Sequence, residues 1–379
     1  MITYSLIVLS LTLCYVFLFL FYLTGWVLLA EYQRSARTSS TRVSIIVAAR
    51  NEEVNIGNLL NDLLKQNFSS ELFEVIVVDD FSEDRTAEIV SSFQNKNLRL
   101  LQLENFLKTD EPISSFKKKA LEMGIQNATG ELIVTTDADC RMNNNWLHTL
   151  VNFFEEHQCK MIVAPVLMRA QENFFQKFQT LDLIGLTGIT GATLHLNFPT
   201  MCNGANLAFT KKSFYEVDGY RGISEKTSGD DMLLMHKMAR QWKRGVLFLK
   251  NKDAAVFTEP QPSLSSFIRQ RMRWTSKSKV YEDPKIILNL IAVLLFNFSL
   301  LVSLILSFFD HELLMVFLIQ FITKAIMDFA FLSQVTKFFR RQQLLWLFLP
   351  AEILHIIYIV IAGIAGNFFT VKWKERIVK

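Results

Sequence analysis

The first thirty residues contain no Asp, Glu, Lys or Arg, and Leu, Phe, Val and Tyr dominate them. As a helix, such a run exceeds the ~20 residues that cross the hydrocarbon of a bilayer. A cleaved signal peptide would carry a basic start, a shorter apolar stretch and a small-residue cleavage site. Met1 to Ser5 holds no base and the run is too long, so an uncleaved anchor over residues 1–30 is expected. The first charges beyond it are Glu31, Arg34, Arg37 and Arg42. Their surplus is basic, which by the positive-inside rule puts residue 31 onward in the cytoplasm.

The C-terminal part repeats the pattern. Residues 286–309 are uncharged, 312–336 carry Lys324 and Asp328, and 343–371 carry Glu352 and His355. Lys324 and Asp328 are four apart and share one helix face, where they can pair or meet a partner helix. A membrane region of about three helices over 286–371 is expected. The loop Asp310-His311-Glu312 is acidic, and Lys337, Arg340 and Arg341 form a basic one. Alternation from an outside N-terminus puts the first outside and the second inside. The tail Lys372, Lys374, Arg376 and Lys379 is then outside, against the rule; it is an exception, or one segment does not span. A multi-pass cell-membrane protein with its middle domain in the cytoplasm follows, which places it in the cell envelope.

Composition agrees. With 50% hydrophobic residues, 20% charged and 33 Phe in 379, the chain is neither disordered nor an ordinary cytosolic enzyme. A net charge of +4 without a basic stripe excludes a nucleic-acid partner. Cys14, Cys140, Cys159 and Cys202 are scattered, against a disulfide framework or zinc site.

Residues 41–280 read as one cytosolic domain. Val43–Ala49, Phe73–Val78, 98–103 and 131–136 are short apolar, β-branched runs, hence buried strands. Residues 53–66, 84–94 and 116–128 have helical character. Strands alternating with helices, each strand apolar nearly throughout, predict an α/β fold with a mostly parallel sheet covered on both faces. Such sheets bind ligands beyond the C-terminal strand ends. The polar clusters fall there: Arg50-Asn51-Glu52-Glu53, Asp79-Asp80, and Asp137 with Asp139.

Asp137-Ala138-Asp139 follows a strand, and in extended chain residues two apart point the same way. Two hard oxygen ligands suit Mg2+ or Mn2+; the plain alternative is a turn capping the helix near Trp146. After Asp79-Asp80, Ser82 or Asp84 can cap the next helix, which leaves the Asp pair unexplained. No GxGxxG or GxxxxGK[ST] occurs here, against a dinucleotide site or P-loop. Ser228-Gly229-Asp230-Asp231 opens a helix; one Asp would suffice as a cap. Gln270-Arg271-Met272-Arg273-Trp274 ends a basic, aromatic segment whose plain role is anchoring at the headgroup layer. Residues 171–198, rich in Phe and Leu but broken by Gly, are a core helix or an interfacial one.

Taken in order, Ala49-Arg-Asn-Glu-Glu53, Val78-Asp-Asp-Phe-Ser82, Lys117 to Gly124, Thr136-Asp-Ala-Asp139, Asn203-Gly-Ala-Asn206, Gly229-Asp-Asp231 and Gln270-Arg-Met-Arg-Trp274 resemble the membrane-bound glycosyltransferases of family 2. That group includes cellulose, hyaluronan and poly-N-acetylglucosamine synthases and ceramide glucosyltransferases. The resemblance covers about residues 40–280 and the membrane layout. It implies a GT-A fold and a nucleotide-diphosphate sugar donor, usually UDP-linked. By position, Glu52 and Asp80 would hold ribose and uracil with Asp79 beside them, and Lys117 would contact the nucleotide. Asp137 and Asp139 would bind Mg2+ or Mn2+. Asp231 would be the general base, with Asp230 the lesser candidate. Asn203 falls in the substrate-binding set, and Gln270, Arg273 and Trp274 would flank diphosphate and acceptor. Two departures stand out. Phe116 replaces the usual Gly before the lysine, so the choice among Lys117, Lys118 and Lys119 stays open by one position. The usual Glu-Asp is here Asp230-Asp231.

The physics is consistent. Displacement at an anomeric carbon expels a diphosphate, whose charge a divalent cation and an Arg neutralise. The acceptor hydroxyl loses its proton to a carboxylate. One base and one displacement invert the configuration. The expected activity is an inverting, metal-dependent hexosyltransferase acting at the cytoplasmic face on a lipid or lipid-linked acceptor. The alternatives are a processive polysaccharide synthase, or a non-catalytic membrane assembly subunit that keeps the fold.

Overall fold

A computed structural model describes residues 2–35, 39–106, 115–169, 172–223, 229–368, 371–373 and 376–378. Met1, Arg37, Ser228, Lys374 and Lys379, named above, lie outside these. The apolar N-terminus forms α1 (Ile2–Leu28). Then follow β1 (Val43–Ala49), α2 (Ile56–Leu64), β2 (Phe73–Asp79), α3 (Thr86–Ser92), β3 (Leu98–Gln102), α4 (Phe116–Asn127) and β4 (Leu132–Thr135). Next come β5 (Arg141–Met142), α5 (Trp146–His157), β6 (Met161–Val163), β7 (Val166–Met168), α6 (Phe174–His195), β8 (Leu207–Thr210) and α7 (Lys211–Glu216). The rest is α8 (Asp230–Gln241), β9 (Val246–Phe248), β10 (Val256–Thr258), α9 (Leu264–Ser276), α10 (Pro284–Leu306), α11 (Glu312–Phe338), α12 (Phe348–Phe368), β11 (Val371–Trp373) and β12 (Arg376–Val378).

The chain divides into two compact units. One comprises residues 29–169 and 193–259. Its core is a seven-stranded sheet in the order β3-β2-β1-β4-β8-β6-β9. β1 pairs in parallel with β2 (Ala49 beside Asp79) and β4 (Ile46 beside Thr135), and only β8 runs against its neighbours. The parallel register sets the loops after β1, β2 and β4 side by side on one margin. β1 and β2 are buried almost throughout, Ile45, Ile46 and Val47 completely, as strands covered on both faces must be. Gly124 lets α4 lie close on the sheet: a Cβ there would come within 2.5 Å of Ile46 Cγ2. A second sheet, β5-β10-β7, is short.

The other unit holds residues 1–28, 170–192 and 260–379. Here α1 packs on α10 and α11, and α12 packs on α9 and α10. Among the described residues, four helices are long and apolar enough to cross a membrane: Thr3–Leu28, Pro284–Leu306, Glu312–Phe338 and Gln342–Phe368. Their outward residues are apolar (Phe17, Leu288, Ile326 and Ile353 are exposed), which lipid tolerates and water does not. Polar groups point inward. Gln320 donates to Ser299 at 2.9 Å and accepts from Ser303 at 3.1 Å, so interhelical hydrogen bonds join helices that gain nothing from burial in lipid. Residues 174–195 form one continuous helix, α6, whose stretch to Ala192 belongs to this unit. β11 and β12, after α12, pair antiparallel.

Candidate active site

The site is built on the margin where β1, β2 and β4 end. The loops after β1 and β2 lace together. Asn51 (φ +50°) and Phe81 (φ +54°) take the left-handed conformation. Arg50 donates to the carbonyls of Asp80 (3.0 Å) and Phe81 (3.1 Å). The Glu52 N–H donates to Thr86 Oγ1 at 2.8 Å and the Glu53 N–H to Asp84 at 3.0 Å. Asp84 also accepts from the N–H of Thr86, the first residue of α3, at 3.0 Å, although the helix's N-cap position is Arg85, while Ser82 accepts from the Asn51 N–H at 3.0 Å. Much of both motifs is therefore scaffolding. Asp79 and Asp80 are its buried products, 6% and 5% exposed. Asp79 Oδ2 accepts from the Ser82 N–H at a long 3.3 Å. Asp79 Oδ1 is buried with no hydrogen-bond partner among the described residues, a costly condition for a carboxylate unless a ligand donor completes it.

β4 ends at Thr135, so Asp137 and Asp139 sit in the turn beyond it rather than on extended strand. They still alternate: both are partly exposed, with Ala138 buried between them. The capping role is not what they do, since α5 is preceded by Asn145. The turn is fixed from behind by Arg141, which grips Asp62 of α2 through two hydrogen bonds of 2.5 and 2.8 Å. Asp139 accepts from Thr258 Oγ1 at 3.3 Å. Burial chiefly, then the charges of Asp137 and Glu52, push the Asp139 carboxyl up to about 6, against Lys117 and Thr258, which pull it down.

Lys117 on α4 joins this turn to α8. Its Nζ lies 2.7 Å from Asp137 Oδ1 and 3.8 Å from Asp230 Oδ2. Burial works against its charge, but Asp137, Asp230 and Asp231 outweigh that and hold the ammonium above its usual range. The neighbouring Lys118 is buried and donates to the carbonyl of Ile223 at 2.7 Å, so of these two it is Lys117 that meets the carboxylates. Asp231 is aimed by two backbone donors, Gly204 N–H at 3.1 Å and Met232 N–H at 2.8 Å. Gly204 is close-fitted there, its notional Cβ 3.4 Å from that of Asp231. Gly229, at φ +84°, turns the chain into α8.

The Asn203–Asn206 motif supports this corner. Asn203 Oδ1 accepts from the Ala205 N–H at 3.1 Å. Asn206, completely buried, donates to the carbonyls of Pro165 and Ala254 and accepts from Trp146 Nε1 at 3.0 Å. Sequence reasoning quoted Asn206 but assigned it nothing, and it missed Thr258. The structure thus brings Glu52, Lys117, Asp137, Asp139, Asp230 and Asp231 into one electrostatic cluster. Asp79 and Asp80 stand on its β2 side. Gln270, Arg273 and Trp274 belong to α9 of the other unit. There Arg271 is the buried member, 2.5 Å from Asp182 and stacked on Trp274 at 4.1 Å.

A mostly parallel sheet of this kind, with acids on the loops after successive strands, has the α/β architecture of the GT-A fold. A mannosyltransferase from Pyrobaculum calidifontis, solved with GDP-mannose and Mn2+, shares the fold at a TM-score of 0.58, covering 96% of this chain and 99% of that one at 16% identity. The model of glycosyl transferase family 2 matches residues 44–217, and that of glycosyl transferase family group 2 matches residues 132–365. The chain belongs to the family 2 glycosyltransferases. Similar curated proteins include a beta-monoglucosyldiacylglycerol synthase of Trichormus variabilis, 29% identical over 64% of this chain and 50% of that protein. A poly-beta-1,6-N-acetyl-D-glucosamine synthase of Staphylococcus aureus is 22% identical over 61% and 53%. A poly(ribitol-phosphate) beta-N-acetylglucosaminyltransferase of the same species is 36% identical over 33% and 21%. The chain thus spans about half the length of the first two, and less of the third.

Proposed function

We propose that the protein is an inverting membrane glycosyltransferase that moves a sugar from a nucleotide-diphosphate donor, UDP-linked by preference, to a lipid acceptor at the cytoplasmic face. One observation carries the reading: Lys117 draws Asp137, from the turn after β4, and Asp230 and Asp231, from the start of α8, into one cluster at the sheet margin. The four membrane-length helices and the diacylglycerol-directed relative favour a lipid acceptor.

The residues fit a divalent cation. Glu52, Asp137, Asp139, Asp230 and Asp231 gather more negative charge than Lys117 neutralises, and burial, with the charges of Asp137 and Glu52, makes Asp139 hold its proton unusually well. Asp137 and Asp139 would hold Mg2+ or Mn2+, which supplies positive charge to the leaving diphosphate. Lys117 adds its own charge beside it. The open Oδ1 of Asp79 suits the ring N–H of a uracil, and Glu52 and Asp80 suit the ribose. Asp231, held in place by Gly204 and Met232, accepts the proton of the acceptor hydroxyl as its oxygen bonds the anomeric carbon. The bond from that carbon to the diphosphate oxygen breaks, and nucleoside diphosphate leaves with the electron pair. Attack opposite the leaving group inverts the centre. Gln270, Arg273 and Trp274 are assigned to diphosphate and acceptor.

The test is incubation of membranes with a panel of UDP- and GDP-sugars and Mn2+, following nucleotide diphosphate release and the mass of extracted lipid. A hexose or N-acetylhexosamine increment on lipid, abolished by Asp231→Asn, is expected. A long polymer would favour the processive alternative. Turnover by Asp231→Asn equal to wild type would remove the base assignment.

A further inference from the structure

Within the membrane unit, α1, α10 and α11 stand side by side in register. The ring of Trp26, near the end of α1, meets that of Phe338, at the end of α11, at 5.6 Å. Tyr22 donates to Asn289, near the start of α10, at 2.9 Å. At the far end the hydroxyls of Tyr4 and Ser303 share a hydrogen bond of 2.8 Å. The end of α1, the start of α10 and the end of α11 therefore lie at one level. Lys337, Arg340 and Arg341 mark that level as the cytoplasmic one.

The helix α12 does not share this register. The ring of Phe348, its first residue, meets that of Phe329 at 5.3 Å, and Phe329 lies about 14 Å up from the end of α11 at the rise of an α-helix. Glu352 accepts from the buried ammonium of Lys324, which also donates to Asp328 at 2.7 Å and faces His355 Nδ1 at 3.5 Å. Asp328 and Lys324 lie about 15 and 21 Å up α11. Gly363 is fitted to α10, its notional Cβ 2.7 Å from Leu294 Cδ1, and Leu294 lies about 15 Å up from the start of that helix. Between Phe348 and Gly363 a helix advances about 22 Å, yet its depth hardly changes. The axis of α12 thus runs along the membrane rather than through it. Gly366 then closes on α9, where a Cβ would come within 2.7 Å of the Met272 carbonyl oxygen. Ser265 and Arg269 are exposed on α9, which leads into the cytoplasmic end of α10.

The side chains suit such a helix. Leu349, Ile353, Ile357, Ile361 and Ile364 are exposed and, spaced by four and three, form one stripe for lipid. Glu352, His355 and Tyr358 are taken up by Lys324 and Asp182. Asp328, Glu352 and His355 have the spacing of a metal site, but the Lys324 ammonium stands among all three, and that knot ties α12 to the middle of α11. We propose that α12 enters the membrane from the cytoplasmic face and returns to it, so that only α1, α10 and α11 cross. The tail with Lys372, Lys374, Arg376 and Lys379 then lies in the cytoplasm, where the positive-inside rule wants it, and not outside as alternation of four spans requires. The inference does not depend on the donor or the acceptor.

The test uses the full chain in right-side-out and inside-out membrane vesicles, treated with a membrane-impermeant maleimide, with the modified sites read by peptide mass. Phe309→Cys, in the loop after α10, and Lys337→Cys, at the end of α11, mark the two faces, and Lys379→Cys reports the tail. Lys337→Cys and Lys379→Cys should react in inside-out vesicles and be protected in right-side-out ones, and Phe309→Cys the reverse. On the otherwise unchanged chain, green fluorescent protein fused after Lys379 should fluoresce and alkaline phosphatase fused there should be inactive, which keeps the test if a Cys variant fails to fold. Lys379→Cys reacting on the same face as Phe309→Cys, or an active phosphatase fusion, overturns the proposal.

Discussion

Lys117→Met keeps an aliphatic stem in place and deletes an ammonium that stands 2.7 Å from Asp137 and 3.8 Å from Asp230. A hydrogen bond to a charged group contributes roughly 1.5–3 kcal/mol. The Lys117 side chain is 31% exposed, and solvent screening favours the lower half of that range, so a loss of ~2 kcal/mol is expected in metal-free protein. For a unit of about two hundred residues, each kcal/mol moves the unfolding midpoint by roughly 2–4 °C. The sheet unit should therefore melt ~4–8 °C lower in EDTA. Mn2+ at a hundredfold excess over its Kd stabilises a folded site by about 2.7 kcal/mol through mass action alone. In the variant the ion also relieves carboxylates that have lost their internal cation, so its Mn2+-dependent gain should exceed that of wild type. The assay is tryptophan fluorescence against temperature, with EDTA and with Mn2+. Equal midpoints for the two proteins in EDTA, or equal gains with Mn2+, would refute the role given to Lys117.

Three further outcomes are expected. With Asp139 pushed up to about 6, its proton competes with the metal, so apparent Mn2+ affinity should fall up to tenfold per pH unit below pH ~6 and level off above it; titration of Mn2+ by electron paramagnetic resonance at pH 5, 6 and 7.5 checks this. Glu74 is lowered from 4.5: burial opposes its charge, but Ser44, Thr129 and Arg99 outweigh it. Its stabilisation is present above pH 4.5 and lost as pH falls through the folded value, so Glu74→Gln should cost ~1 kcal/mol at pH 7 and less at pH 3.5 in denaturant titrations. Asn206→Ala removes three buried hydrogen bonds and should cost about 2–4 kcal/mol, seen as a lower melting midpoint with donor affinity reduced only through misplacement of the Asp231 corner.

The strands were legible because burial on both faces writes them as unbroken apolar runs: β1 was expected at Val43–Ala49 and occupies those residues. The clusters at the ends of β1, β2 and β4 were legible for a topological reason, since a parallel sheet sends those loops to one margin. What the chain text could not resolve is rotation about a helix. Lys117 and Lys118 are adjacent in sequence but point about 100° apart on α4, one to Asp137 and the other, buried, to the carbonyl of Ile223. Arg271 and Arg273 pose the same problem on α9, where Arg271 is the one that pairs with Asp182. The Lys324–Asp328 pair could be read from its spacing of four. That Glu352 from α12 and Tyr15 from α1 complete it depends on interhelical packing, which no local pattern encodes. Arg50, Ser82, Asp84 and Asn206 stand in the motifs that carry the resemblance and serve as loop architecture.

The claim on which the account turns is that the loop carboxylates of the sheet unit form one cation and donor site. Counting Mn2+ by electron paramagnetic resonance in the presence of UDP measures it directly. One ion per chain is predicted for wild type and for Glu352→Gln, with binding lost in Asp139→Asn and weakened at least tenfold in Asp137→Asn. Full stoichiometry in both Asp variants, or loss of the ion in Glu352→Gln alone, would contradict it.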